Sequence, residues 1–132
     1  MTKKILIVDD EPHMLRVTEL SLKKLGFDIL TARNGDEAIQ IAQRDLPVLI
    51  VMDVVMPQKD GLSALKELKA IPATAQIPVI MLTTRGQNIT RTEAEGLGAA
   101  LYLTKPFSPS ALASEARQII EAGESNISRG SQ

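Results

Sequence analysis

Val48-Leu49-Ile50-Val51-Met52-Asp53 is a run of five apolar residues that ends on a carboxylate. Near the N-terminus Ile5-Leu6-Ile7-Val8-Asp9-Asp10 repeats the arrangement, there with two acids. Strict alternation of apolar and polar residues would mark a strand with one wet face. Unbroken aliphatic and β-branched runs of this length suit strands covered on both faces, as in a parallel sheet layered between helices. Phe27 to Ala32 is a weaker run of the same kind, and Val79 to Leu82 and Leu101 to Leu103 bring the number of strands to five.

Amphipathic stretches separate the runs. Pro12 to Leu25 places Met14, Leu15, Val17, Thr18, Leu22 and Leu25 at roughly helical spacing, with Pro12 suited to the first helical position and Gly26 as the stop. Asn34-Gly35-Asp36 turns the chain and caps a helix over Glu37 to Arg44. Leu62, Leu65, Leu68 and Ile71 give a third helix from Gly61 to Ile71, ended by Pro72. A polar fourth helix is expected between Gln87 and Leu97, and a fifth from Pro109 to Ala122. Five β-then-α units imply an α/β fold, a doubly wound five-stranded parallel sheet with right-handed crossovers and five helices. Residues 1–122 form the domain in this reading, and 123–132, rich in Gly and Ser, a flexible polar tail.

At 132 residues the chain is long enough for one domain with a real core. A net charge of −1 and only three aromatics (Phe27, Tyr102, Phe107) argue against a nucleic-acid surface or an anionic membrane as partner. The absence of Cys excludes disulfides, thiolate metal sites and Cys nucleophiles. No apolar run is long enough for a membrane span or a signal peptide, so a cytoplasmic location is expected.

In an open parallel sheet, ligands bind beyond the carboxyl ends of the strands. Asp9 and Asp10 follow the first strand; the third ends in Asp53, the fourth in Thr83 and the fifth in Lys105. Three carboxylates brought together repel one another unless a cation intervenes. Lys105 leaves a formal −2, which one divalent ion cancels. An oxygen cage without His or Cys selects a hard ion, Mg²⁺ or Mn²⁺. Mg²⁺, Lys105 and the Thr83 hydroxyl together suit phosphoryl transfer, with Asp53 as the nucleophile that forms an acyl phosphate.

Val8-Asp9-Asp10-Glu11, Met52-Asp53-Val54-Val55-Met56-Pro57 with Gly61, Leu82-Thr83, Gly98-Ala99 and Lys105-Pro106-Phe107 together closely resemble the receiver domains of two-component signalling. Thr83 and Lys105 stand 30 and 52 residues beyond Asp53, as that family's pattern requires. The likeness covers about residues 3 to 122. It implies the flavodoxin-like strand order 2-1-3-4-5. It further implies that Asp10 binds Mg²⁺ directly, Asp9 partly through water, and Val55 through its backbone carbonyl. Asp53 would be phosphorylated by a sensor histidine kinase or a phosphotransfer protein. Thr83 would bond a phosphoryl oxygen, and Lys105 would pair first with Asp53 and then with the phosphoryl group. Lys105-Pro106 resembles a peptide that is cis in the family, and Tyr102 the aromatic that turns inward on activation. The face formed by helix 4, strand 5 and helix 5 would then change its affinity for a downstream protein effector. The resemblance implies a phosphoacceptor that assists its own phosphorylation and dephosphorylation rather than an enzyme acting on others.

Plainer roles compete for each residue. Asp9-Asp10 alone would read as an acidic pair at a helix N-terminus. Tyr102 alone would be an edge-strand aromatic. Met52, Met56 and Met81 read as core filler, His13 as an exposed helix residue, and Gly61 and Gly98 as turn or close-packing positions. The strongest rival function is a receiver-like protein-binding module that is never phosphorylated; such a module is expected to have lost a site residue, and here all five stand. An aspartyl-phosphate phosphatase would want a second Asp where Val55 stands. No Gly-rich phosphate loop follows any strand, and the aromatic sandwich of a flavin protein is missing.

Two departures from the family pattern matter. Val55 cannot orient water by hydrogen bonding, Thr84 is bulkier than the small residue usual there, and Arg85 flanks the same site. Slow self-dephosphorylation is the expectation. Ala100, Leu101 and Ala111 also replace acidic positions of regulators that dimerise through helices 4 and 5. That points to a stand-alone receiver, a monomer or weak dimer, with protein binding as output and no direct nucleic-acid contact.

Overall fold

The computed structural model describes residues 3–56, 60–84, 91–105 and 107–130. Strands and helices alternate along it: β1 (Lys4–Val8), α1 (Pro12–Lys23), β2 (Asp28–Ala32), α2 (Gly35–Asp45), β3 (Leu49–Asp53), α3 (Gly61–Ala70), β4 (Val79–Thr84), α4 (Arg91–Gly96), β5 (Leu101–Lys105) and α5 (Pro109–Gly130). The strands form one parallel sheet, as the apolar runs implied, in the order β2-β1-β3-β4-β5 that the family resemblance implied.

Side chains alternate across a strand, so each unbroken apolar run feeds two cores. Ile5, Ile7, Leu49, Val51, Ile80 and Leu82 share one core with Leu22 of α1 and with Leu112, Ala116 and Ile120 of α5. Leu6, Val8, Ile50, Met52, Val79 and Met81 share the other with Ala38 and Ala42 of α2, Leu65 and Leu68 of α3, and Ala94 of α4. The three core methionines are buried, as expected, and His13 is exposed on the first turn of α1. Among the described residues no helix is long and apolar enough to cross a membrane.

Local chemistry sets the helix ends. The Asn34 side chain accepts the Glu37 N–H at 2.9 Å, and Asp60 accepts that of Ser63 at 2.8 Å. Pro12 opens α1, and Gly26, at φ +90, turns the chain after it.

Several boundaries differ from the sequence reading. Beyond their apolar runs, β4 continues to Thr84 and β5 to Lys105, because Thr83 pairs with Thr104 and Thr84 with Lys105. β-Branched threonines suit that pleated surface. Asp53 and Lys105 thus close β3 and β5, as read from the sequence, while β4 runs one residue past Thr83. Among the described residues α4 covers Arg91–Gly96; residues 87–90, where its start was expected, lie outside them. α5 continues to Gly130, past the end at Ala122 and into the stretch read as a tail. One interior glycine, Gly123, costs a helix only about 1 kcal/mol against Ala.

Thr18 is fully buried on α1, and its hydroxyl finds no hydrogen-bond partner among the described residues. Leaving such a group unsatisfied costs about 1–3 kcal/mol. Thr18→Val keeps the shape and removes the orphan oxygen. Urea unfolding of the variant is expected to show a gain of about 1 kcal/mol; an unchanged or lower midpoint would count against the assignment.

Candidate functional site

In this strand order the chain leaves β1 first towards β2 and later towards β3, so the crevice between β1 and β3 is the switch point where ligands gather. Asp9 stands just beyond β1, and Asp53 is the last residue of β3. Lys105 ends β5 and reaches across the β4 end to both. Its ammonium lies 3.0 Å from Asp9 Oδ2 and 3.3 Å from Asp53 Oδ2. Asp9 and Asp53 are buried, while Asp10 is exposed.

Asp9 is held from two sides. Its other oxygen accepts the Glu11 N–H at 3.0 Å, and its own N–H donates to the Ala32 carbonyl at 3.1 Å. The bond to Glu11 is a local turn just before α1, and it coexists with the contact to Lys105. Asp53 receives the N–H of Val55, a half-exposed residue on the loop after β3. Thr83 is buried one step beyond Leu82, the residue paired with Asp53. Pro106, Pro57 and Arg85, named from the sequence, lie outside the described residues.

Gly61 has a role more specific than the turn or packing position read for it. Its N–H donates to the Val54 carbonyl at 2.7 Å. A Cβ there would be driven into the Asp53 carbonyl oxygen and against Val54 Cα. Only glycine lets α3 start this close to the strand end that carries the carboxylate.

The electrostatics are those of a pocket with too much negative charge. Burial pushes the Asp53 carboxyl above its usual value; the Lys105 charge opposes the rise and the Asp9 charge adds to it. Burial by itself would lower the Lys105 amine. Its hydrogen bond to Asp9 and the charges of Asp53 and Asp9 outweigh that and raise it.

One oxygen from each of Asp9, Asp10 and Asp53 can be chosen so that all lie within 4.8 Å of one another. All are hard donors, and among the described residues Lys105 alone is paired with them, which leaves them undercompensated. The donor set fits a hard divalent ion such as Mg²⁺.

Comparison with known proteins agrees with this geometry. Residues 5–117 match the model of the family described as the response regulator receiver domain. The alkaline phosphatase synthesis transcriptional regulatory protein PhoP of Bacillus subtilis is 36% identical over 124 residues, which are 94% of this chain and 51% of that protein. The chain spans about half the length of the curated relatives it matches. Among solved structures, the receiver domain of a signal transduction histidine kinase from Syntrophus aciditrophicus superposes with a TM-score of 0.83 at 32% identity, covering 92% of each chain. The chemotaxis response regulator CheY4 of Vibrio cholerae gives 0.81 at 29%, covering 90% of this chain and 99% of its own. The expectation of no nucleic-acid contact finds no support here, because the Bacillus relative is a transcriptional regulator.

The raised Asp53 carboxyl has a consequence for stability. The folded chain binds this proton more tightly than the unfolded one, so ionised Asp53 costs stability above its folded pKa, and the cost disappears below the ordinary aspartate value of 3.8. With a chelator present, Asp53→Asn is expected to raise the thermal midpoint at neutral pH. The gain should shrink as the pH falls towards 3.8. A gain independent of pH would show that charge is not its source.

Proposed function

Because the chain belongs to the response regulator receiver family, we propose that it is a phosphorylation switch in which Asp53 accepts a phosphoryl group from a histidine kinase or a phosphotransfer protein. The observation that carries this reading is the Lys105 ammonium held between Asp9 and Asp53, with Asp10 at hand to complete an acidic cage. It places a nucleophilic carboxylate beside fixed positive charge, which is what phosphoryl transfer asks of a protein.

In the proposed reaction an Asp53 carboxylate oxygen attacks phosphorus. The new O–P bond forms as the donor's bond to phosphorus breaks, and the donor nitrogen keeps the electron pair. Asp53 must be ionised to attack, and Lys105 favours that state against burial. Once the acyl phosphate has formed, Lys105 is free to follow the negative charge from the carboxylate to the phosphoryl oxygens, and the Thr83 hydroxyl would donate to one of them. Asp9, Asp10, Asp53 and the Val55 carbonyl would hold Mg²⁺, which when bound supplies neutralisation of the phosphoryl charge. Asp9 is kept in place for this by the Glu11 N–H, and Asp53 by the approach of α3 at Gly61.

Output would pass through β4 and β5. Thr83 and Lys105 lie on neighbouring strands, and Tyr102 pairs with Met81 while packing, half-buried, against the α2–α3–α4 core. A pull on Thr83 would reposition Tyr102 and alter the face made by α4, β5 and α5, where a protein effector would bind.

Incubation with acetyl phosphate and Mg²⁺ is expected to label the wild-type chain and to leave Asp53→Asn unlabelled, read by intact mass at low temperature. A wild-type chain that stays unlabelled by small donors and by kinases would favour the rival reading of a binding module. Val55, half-exposed beside the carboxylate, offers no side-chain hydrogen bond to an attacking water. Val55→Asn should therefore shorten the acyl-phosphate lifetime several-fold; an unchanged half-life would remove the idea that this position slows hydrolysis.

A further inference from the structure

At the opposite end of the sheet from the carboxylates, Lys69 makes contacts that the switch chemistry does not use. It lies near the C-terminus of α3, and its ammonium donates to the carbonyls of Ala75 at 3.1 Å and Ile77 at 2.8 Å. Those carbonyls belong to the turn that feeds β4. The same turn is pinned by Thr74, whose buried hydroxyl donates to the Leu68 carbonyl at 2.7 Å. Burial pulls the Lys69 amine below the ordinary lysine value, and among the described residues its hydrogen bonds go to carbonyls.

The stem of Lys69 has a second task. Gly98, at φ +106, sits directly on it: a Cβ at Gly98 would come to 3.0 Å from Lys69 Cγ and 3.3 Å from Cδ and Cε. Gly98 is the left-handed residue that ends α4. Its N–H donates to the Glu95 carbonyl at 3.0 Å, and the next N–H, of Ala99, reaches back to the Ala94 carbonyl at 3.0 Å. That pair of bonds is a Schellman motif, and buried Ala99 and Ala94 supply its apolar contact.

α4 needs such an anchor. It has six residues, a polar sequence, and among its described side chains Ala94 is the one fully buried. A helix of that length has little stability of its own and takes it from tertiary contacts. We propose that Lys69 is a latch on α4: its ammonium fixes the α3–β4 turn while its stem seats the Gly98 cap, so that one side chain sets the local stability of α4 apart from that of the rest of the domain.

Amide hydrogen exchange of the full chain tests the latch. Lys69→Met keeps most of the stem but removes the ammonium whose bonds to Ala75 and Ile77 hold that stem under Gly98. It is expected to speed exchange at Ile77, Gly98 and Ala99 by about tenfold or more, while Leu6 and Ile50 in the sheet centre change by less than about threefold. Lys69→Arg, which keeps a cation and its donors, should stay close to wild type at all these amides. It also keeps the test valid if the methionine variant folds poorly. Equal acceleration at all five amides in Lys69→Met would mean a general loss of stability and would overturn the latch, as would unchanged exchange at Gly98 and Ala99.

Discussion

Two buried carboxylates face each other across the β1–β3 crevice, and a single ammonium makes that arrangement tolerable. Like charges this close cannot both stay ionised at ease in a poorly solvated pocket. Lys105 relieves Asp9 and Asp53 together, at 3.0 and 3.3 Å, yet the balance stays negative and Asp53 remains harder to ionise than a free carboxyl. Nothing in the economy of folding favours building such a pocket. A buried carboxyl perturbed by a like charge and a cation marks a candidate functional site. The topology makes the pocket achievable, since parallel strands with right-handed crossovers place all carboxyl ends at one edge.

Most of this arrangement was legible in the chain. Unbroken apolar runs announced strands covered on both faces, and the split of Ile5 and Ile7 from Leu6 and Val8 into separate cores is that same pattern seen in space. The acids and the lysine were found by asking which residue stands at each strand end, a question that needs only the strand assignments. The turn chemistry of Asn34 was also plain.

What escaped the reading depends on contacts between distant residues. Nothing in the composition of Gly61 distinguishes a turn glycine from one pressed against the Asp53 carbonyl, because the neighbour is eight positions away and on another element. Lys69 resembles any lysine on a solvated helix face until the α3–β4 turn closes over it. Strand ends were drawn short where the apolar run stopped. Pairing extends β4 and β5 further, because backbone hydrogen bonds do not require apolar side chains. The helical course of the chain beyond Gly123 was hidden for a related reason: glycine weakens a helix without forbidding it.

The two ends of β4 and β5 are therefore held by different physics. At the carboxyl end, charge decides: Lys105 stands between the buried Asp9 and Asp53 carboxylates. At the amino end, hydrogen bonds to backbone carbonyls decide: the Ala100 N–H meets the Val79 carbonyl at 2.8 Å, and the Lys69 ammonium clamps the turn just before it. A strand fixed at one end and subject to a variable pull at the other transmits that pull along its length, because a packed strand has little slack to absorb it. The helix between these two strands, α4, has few anchors of its own, so it is the element on which such a displacement would be felt most. On the proposed reading, a charge event at Asp53 would be felt on α4 more than in the β1–β3 centre of the sheet, which is buried on both sides.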